Sequence, residues 1–102
     1  MQRLQKTELF LQKITQERFE SISEHKEDKL IINITELLKT EPALLHRVII
    51  HWLIQTHVPF DVTQAFLDEL LRFLETDRGG SHAIHTHWSV IKKQKYAHIA
   101  KH

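Results

Sequence analysis

Residues 43–54 read ALLHRVIIHWLI and form the most continuously apolar run in the chain. Its large apolar side chains recur at helical spacing: Leu45, Val48, Ile49, Trp52 and Leu53. Burying one such side chain contributes roughly 1.5–3 kcal/mol, so this stripe outweighs other local interactions. The opposite stripe is polar and basic, with Arg47, His51 and Gln55 four residues apart. We therefore predict a helix with one buried and one basic face, around which the other elements pack.

The composition limits which class of protein this chain can belong to. The chain has 102 residues, of which 41% are hydrophobic and 26% charged, as expected for one domain with a packed core. It has no cysteine, which excludes disulfides and thiolate metal ligands. No apolar run reaches the roughly 18 residues that span a bilayer, and the N-terminus does not read as a signal peptide. We expect a cytoplasmic protein that does not enter a membrane.

The segments before the central helix have contrasting patterns. Residues 2–24 carry apolar side chains at helical spacing without Gly or Pro, which predicts one long amphipathic helix. Residues 25–29 are a polar break, and the β-branched content of residues 30–34 favours a short strand. Thr35 is the expected N-cap of a short helix and Thr40 that of the central helix, since a Thr side chain accepts hydrogen bonds from free amides.

The segments after the central helix predict another helix and then a sheet. Pro59 interrupts the helical pattern, and Asp61 is the expected N-cap of an amphipathic helix over residues 62–76. After Gly80 the apolar period shortens to two, which predicts three strands with a hairpin turn at residues 94–95. The expected fold is α+β, mainly α, with four helices packed on a small antiparallel sheet that includes a C-terminal β-hairpin.

Charge is distributed unevenly along the chain. Residues 78–102 contain five Lys or Arg, five His and no acid, which indicates an anion-binding surface or a basic strand face that is merely solvated. The candidate anion-binding residues are Arg47, His51, Arg78, Lys92, Lys93 and Lys95. Trp88 and Tyr96 lie among these cations, where they either stack on bases or, more commonly, cover the inner face of the sheet.

No catalytic constellation is visible. The chain lacks a phosphate-binding glycine loop, a nucleophile elbow and a zinc-protease helix, so we expect it to be inactive alone. His82, His85 and His87 form an HxxHxH pattern, and on a strand the last two would share a face. No carboxylate or thiolate is near them in sequence, so we predict exposed imidazoles and no metal site.

The order of these elements resembles the middle domain of bacterial tRNA(Ile)-lysidine synthases. The resemblance includes residues 30–60, LIINITELLKTEPALLHRVIIHWLIQTHVPF, with a Trp-Leu pair before a Pro-containing loop. It continues through residues 61–99, DVTQAFLDELLRFLETDRGGSHAIHTHWSVIKKQKYAHI, with a helix, a short loop and a hairpin. Residues 1–25 resemble the helix that leaves the catalytic domain, and residues 26–102 the tRNA-binding domain.

The resemblance implies a role in tRNA processing. Enzymes of this family are ligases that use ATP and lysine to convert the wobble cytidine of an isoleucine tRNA to lysidine. The chemistry belongs to an N-terminal domain with an SGGxDS loop, which this sequence lacks, so no cofactor is expected here. The expected partners are tRNA and that catalytic domain of the same chain, with oligomerisation of the full-length protein left open. The family often has Arg before the Trp, where this chain has His51.

Two alternatives come from other classes of protein. Helices followed by a hairpin also describe a winged-helix DNA-binding domain, in which the helix over residues 42–56 or the one over residues 62–76 would enter the major groove. The helix over residues 62–76 is too acidic for a good recognition helix. A non-catalytic protein-interaction module, with the N-terminal helix packed on a partner, is the second alternative.

Overall fold

The computed structural model describes residues 2–59, 62–76 and 79–102, with side chains from residue 6 onward. The elements in chain order are α1 Gln2–Ile22, β1 Ser23–Lys26, β2 Lys29–Asn33, α2 Ile34–Leu38, α3 Pro42–Gln55, α4 Gln64–Glu75, β3 Gly80–His85, β4 Trp88–Lys93 and β5 Tyr96–Lys101. This confirms the predicted α+β fold, mainly α, with a C-terminal antiparallel hairpin. None of the described helices combines the length and apolar content needed to cross a bilayer.

The sheet has five antiparallel strands in the order β1-β2-β5-β4-β3. Ile32 pairs with Ala97, and these two residues are buried in one core with Val90 and with side chains from all four helices. Alternate strand residues point to the opposite face, which we call the outer face. The helices therefore cover one face of the sheet, and the outer face is exposed.

The predicted stripe of α3 is the centre of the core. Val48, Ile49, Trp52 and Leu53 are fully buried, as predicted, and Leu45 is partly buried against them. The indole Nε1 of Trp52 is buried and has no hydrogen-bond partner among the residues that the structure describes, which costs roughly 1–3 kcal/mol. The burial of four large side chains on one helix exceeds that cost several-fold.

The polar segment after α1 is a hairpin, which the sequence analysis did not predict. The helix ends at Ile22, two residues earlier than expected, and β1 pairs with β2. Glu27 and Asp28 both have left-handed backbone angles, φ 53° and 65°, which is typical of a type I′ turn. The predicted turn at residues 94–95 is confirmed, with Gln94 at φ 57°.

The helix caps differ from those predicted. Asn33 caps α2 in place of Thr35, because its side chain accepts a hydrogen bond from the Glu36 amide. Thr40 is not a cap either, since its hydroxyl oxygen accepts a hydrogen bond from Arg18 Nε at 3.0 Å.

Helices α3 and α4 also begin differently from the predictions. Glu41 occupies the N-cap position of α3 without a side-chain cap bond. Thr63 caps α4, which begins at Gln64 and not at residue 62. The predicted cap Asp61 lies outside the described residues.

We predict that replacing Glu27-Asp28 by Asn-Gly stabilises the protein. Non-glycine residues pay roughly 1–2 kcal/mol for a left-handed conformation, and Asn-Gly is the preferred type I′ pair. A gain of about 1 kcal/mol should raise the melting temperature by roughly 4–8 °C. The control is Glu27→Gln, which removes a charge but keeps the backbone cost. Equal melting temperatures for both variants would contradict the prediction.

Candidate nucleic-acid interface

Six residues are predicted to bind an anion, which by the family resemblance is the RNA backbone, and the five that the structure describes do not form one continuous patch. Lys92 and Lys93 are consecutive on β4, so their side chains point to opposite faces of the sheet. Lys92 is 6% exposed and points into the protein, whereas Lys93 is exposed on the outer face. Lys95 is exposed in the β4–β5 turn, and Arg78 lies outside the described residues.

Lys92 is a helix cap, which corrects its predicted role. Its Nζ donates hydrogen bonds to the carbonyl oxygens of Phe73, at 3.2 Å, of Leu74, at 3.1 Å, and of Thr76. These groups end α4, where free carbonyls and the helix dipole favour a cation. The ammonium group is therefore committed to the protein and is not available to a phosphate. The alternation of Trp88, Val90 and Lys92 was the sequence signal for this inward position.

Helix α1 packs against the polar stripe of α3 at Arg47 and His51, whereas Gln55 is exposed. Arg47 donates two hydrogen bonds to the Glu8 carboxylate, at 2.9 and 3.2 Å. These bonds lower the pKa of Glu8 and raise the pKa of Arg47 from their ordinary values. The His51 ring packs edge-on against Phe19, with 4.8 Å between ring centroids. Arg47 and His51 thus take part in a helix–helix contact, and the Arg47 charge is paired with Glu8.

The outer face of the sheet carries a different basic surface. A hollow of about 430 Å³ lies between the β1–β2 and β4–β5 hairpins, which the pairing of β2 with β5 brings side by side. We call it the sheet-face hollow, and it is lined by Glu24, Lys26, Glu27, Lys29, Ile31, Ile91, Lys93, Gln94, Tyr96 and His98. Of the predicted site residues, the hollow includes Lys93, and Lys95 lies next to it in sequence.

The cations of the sheet-face hollow are available to an anionic ligand. Lys26, Lys29 and Lys93 are exposed, and no ion pair within the described residues involves them. Glu24 and Glu27 also line the hollow, so its charge balance is positive but modest. Lys26 and Lys29 were not among the predicted site residues, because the polar pattern of residues 25–29 does not reveal the hairpin that places them opposite each other.

His98 lies in the same hollow, where its surroundings favour the neutral imidazole. Burial lowers its pKa from the ordinary value of 6.5, and the nearby Lys29 ammonium lowers it further. Its strand partner on β4 is Ile91. The floor of the hollow therefore combines an uncharged imidazole with two apolar side chains, Ile31 and Ile91, while the lysines surround it.

The histidine pattern does not form a ligand cluster. Strand β3 ends at His85, and His87 lies in the following turn, so the two do not share a strand face. The His82 ring stacks on Phe73 with 5.1 Å between centroids. Within residues 2–59, 62–76 and 79–102, no group of three potential ligands is placed to hold a metal ion.

Comparison with known proteins does not assign the chain. No protein-family model matches it, and no curated protein matches it significantly.

We predict that Lys92→Met destabilises the protein by about 1–3 kcal/mol, because buried carbonyl groups at the end of α4 lose their donor. The control is Lys93→Met, which makes the same chemical change on the exposed side of the strand. Urea unfolding of both variants measures the difference. Equal free energies of unfolding would show that the ammonium group does not stabilise the helix end.

We predict that His98 makes the protein less stable in mild acid. Because its pKa is lower in the folded than in the unfolded chain, the unfolded state binds more protons, and stability is lost as pH falls through 6.5 towards the folded-state pKa. His98→Gln should reduce the loss between pH 7 and pH 5, measured by urea unfolding. His25→Gln, at an exposed position on β1, is the matched control, and an equal effect of the two substitutions would contradict the prediction.

Proposed function

We propose that this chain is a tRNA-binding domain, equivalent to the middle domain of a tRNA(Ile)-lysidine synthase. In this proposal it holds isoleucine tRNA while an N-terminal catalytic domain, outside these 102 residues, joins lysine to the wobble cytidine. ATP and lysine bind that other domain, and the reaction takes place in the cytoplasm. The observation that supports the proposal is the exposed sheet face, with unpaired lysines around an aromatic and apolar floor.

The electrostatics of this face suit a nucleic-acid backbone. Phosphate contacts from Lys side chains position RNA without reading its sequence. Lys93 and Lys95 remain proposed contacts from the sequence analysis, and Lys26 and Lys29 join them from the first hairpin. Because net charge is only +1, affinity must come from this local arrangement more than from the overall field of the protein.

Helix α1 supports a second contact, with the catalytic domain of the same chain. Leu9 and Phe10 are 64% and 62% exposed, whereas Phe19 and Ile22 near the other end of α1 are in the core. In our proposal the linking segment is the N-terminal part of α1. The predicted boundary between residues 25 and 26 lies within β1, which is part of the sheet.

The two alternatives make different use of the fold. In a winged-helix domain the hairpin projects beside the recognition helix, but β4 and β5 occupy interior positions in this sheet. The exposed Leu9, Phe10 and Ile54 side chains favour a protein-interaction module. That role is compatible with RNA binding if the partner is the catalytic domain.

We predict that changing Lys26, Lys29 and Lys93 together to Gln weakens tRNA binding and its salt dependence. Each lost phosphate contact lowers the slope of log affinity against log salt by about 0.7–0.9. The measurement is a filter-binding titration with isoleucine tRNA at several salt concentrations. A control variant with Gln at Lys6, Lys13 and Lys39 removes the same charge from other exposed positions.

Three results would count against the proposal. Equal slopes for the two triple variants would mean that the sheet face makes no specific contribution. Tighter binding of duplex DNA than of tRNA would favour the winged-helix alternative. No measurable binding to either nucleic acid, in a chain that unfolds cooperatively, would favour the protein-interaction module.

A further inference from the structure

We propose that the sheet-face hollow binds an unpaired nucleotide, whose base stacks on the ring of Tyr96. This inference rests on the proposed function and specifies which part of an RNA the surface takes. The ligand is a single-stranded segment, such as a loop or an end, and not the side of a double helix.

The position of Tyr96 is the first observation. Its strand partners are Asn33 on β2 and Lys93 on β4, which places the ring on the outer face. Tyr96 is 39% exposed, and among the described strand residues no other large hydrophobic side chain is exposed. Trp88, the other aromatic residue of the strands, is 9% exposed and lies on the inner side of β4, with Val90. Of the Phe, Trp and Tyr residues in the described strands, Tyr96 is therefore the one whose ring faces a ligand on the outer face.

The charges around the ring are the second observation. Lys95 Nζ lies over the Tyr96 ring, 5.6 Å from its centroid, and Lys93 is the cross-strand neighbour of Tyr96. A base that stacks on this face takes the place of the Lys95 ammonium group, which the flexible side chain then carries to a phosphate. A base stacked on this ring has its own phosphate and the next one within the range of flexible Lys side chains. Stacking tolerates any base, because every base has a π-face, and the cations add an attraction that depends on salt.

The arrangement of the whole hollow is the third observation. Its floor is apolar or neutral, with Ile31, Ile91 and His98, and its cations are on the strands and turns around that floor. Bases suit such a floor and phosphates suit the surrounding lysines. The neutral imidazole offers one hydrogen-bond donor and one acceptor to a base edge.

A double helix does not fit this chemistry. Its bases already stack on one another, and A-form RNA presents 2′-hydroxyls and phosphates where it meets a protein surface. A duplex would contact the surrounding lysines and leave both the ring and the apolar floor of the hollow unused. We therefore expect Tyr96 to affect binding of single strands far more than binding of duplexes.

The test compares Tyr96→Leu with Tyr96→Phe, which keeps the ring. The probes are a fluorescent single-stranded oligouridine and a blunt RNA duplex of the same length, measured by anisotropy at one salt concentration. Tyr96→Leu should weaken binding of the single strand about tenfold and leave the duplex within twofold. Tyr96→Phe should bind both probes like the parent protein.

A second measurement does not depend on the folding of the Leu variant. In the parent protein, the ring protons of Tyr96 should shift upfield in the NMR spectrum when oligouridine is added, because a stacked base imposes its ring current. Unmoved ring protons in a protein that binds the single strand would overturn the stacking inference. A Tyr96→Leu variant that weakens both probes equally would do the same.

The outcomes separate this inference from the proposed function. If the lysine variant loses tRNA affinity but Tyr96→Leu binds single strands normally, the stacking inference fails and the tRNA-binding proposal stands. If neither tRNA nor oligouridine binds the parent protein, both fail.

Discussion

The structure depends on burying four helices against one face of a single sheet. Trp52 and its neighbours on α3 are fully buried, and Ile32 and Val90 are the sheet residues that meet this core. Because the apolar side chains of all four helices enter this core, the outer face of the sheet has no cover of its own. The side chains on that face therefore contact water or a ligand.

The same constraint decides which basic residues are available. On β4, Val90 and Lys92 share the buried face, so Lys92 is enclosed, and its charge is satisfied by the carbonyl groups at the end of α4. Lys93 points to the outer face, where it meets lysines from the first hairpin. Lysines that are adjacent in the sequence thus point to opposite faces, and lysines from distant segments come together on the outer face.

The resulting surface is weakly charged but chemically varied. It combines unpaired lysines, one exposed aromatic ring, apolar side chains and an imidazole whose pKa is lowered by burial and by Lys29. Glu24 and Glu27 on the same surface oppose indiscriminate attraction of polyanions. Such a combination favours ligands that offer both a flat apolar group and a phosphate, which is the composition of an exposed nucleotide.

The amino-acid sequence by itself determined the helices, the strands of the C-terminal half and the buried stripe of α3, because each is a local repeat of apolar side chains. It did not reveal β1, whose polar residues form a strand only because β2 pairs with them and because Glu27 and Asp28 accept a left-handed turn. Tertiary structure alone decided the candidate site. Whether Arg47 is paired, Lys92 is buried or Lys29 lies near His98 depends on contacts between segments far apart in sequence, which no local periodicity records.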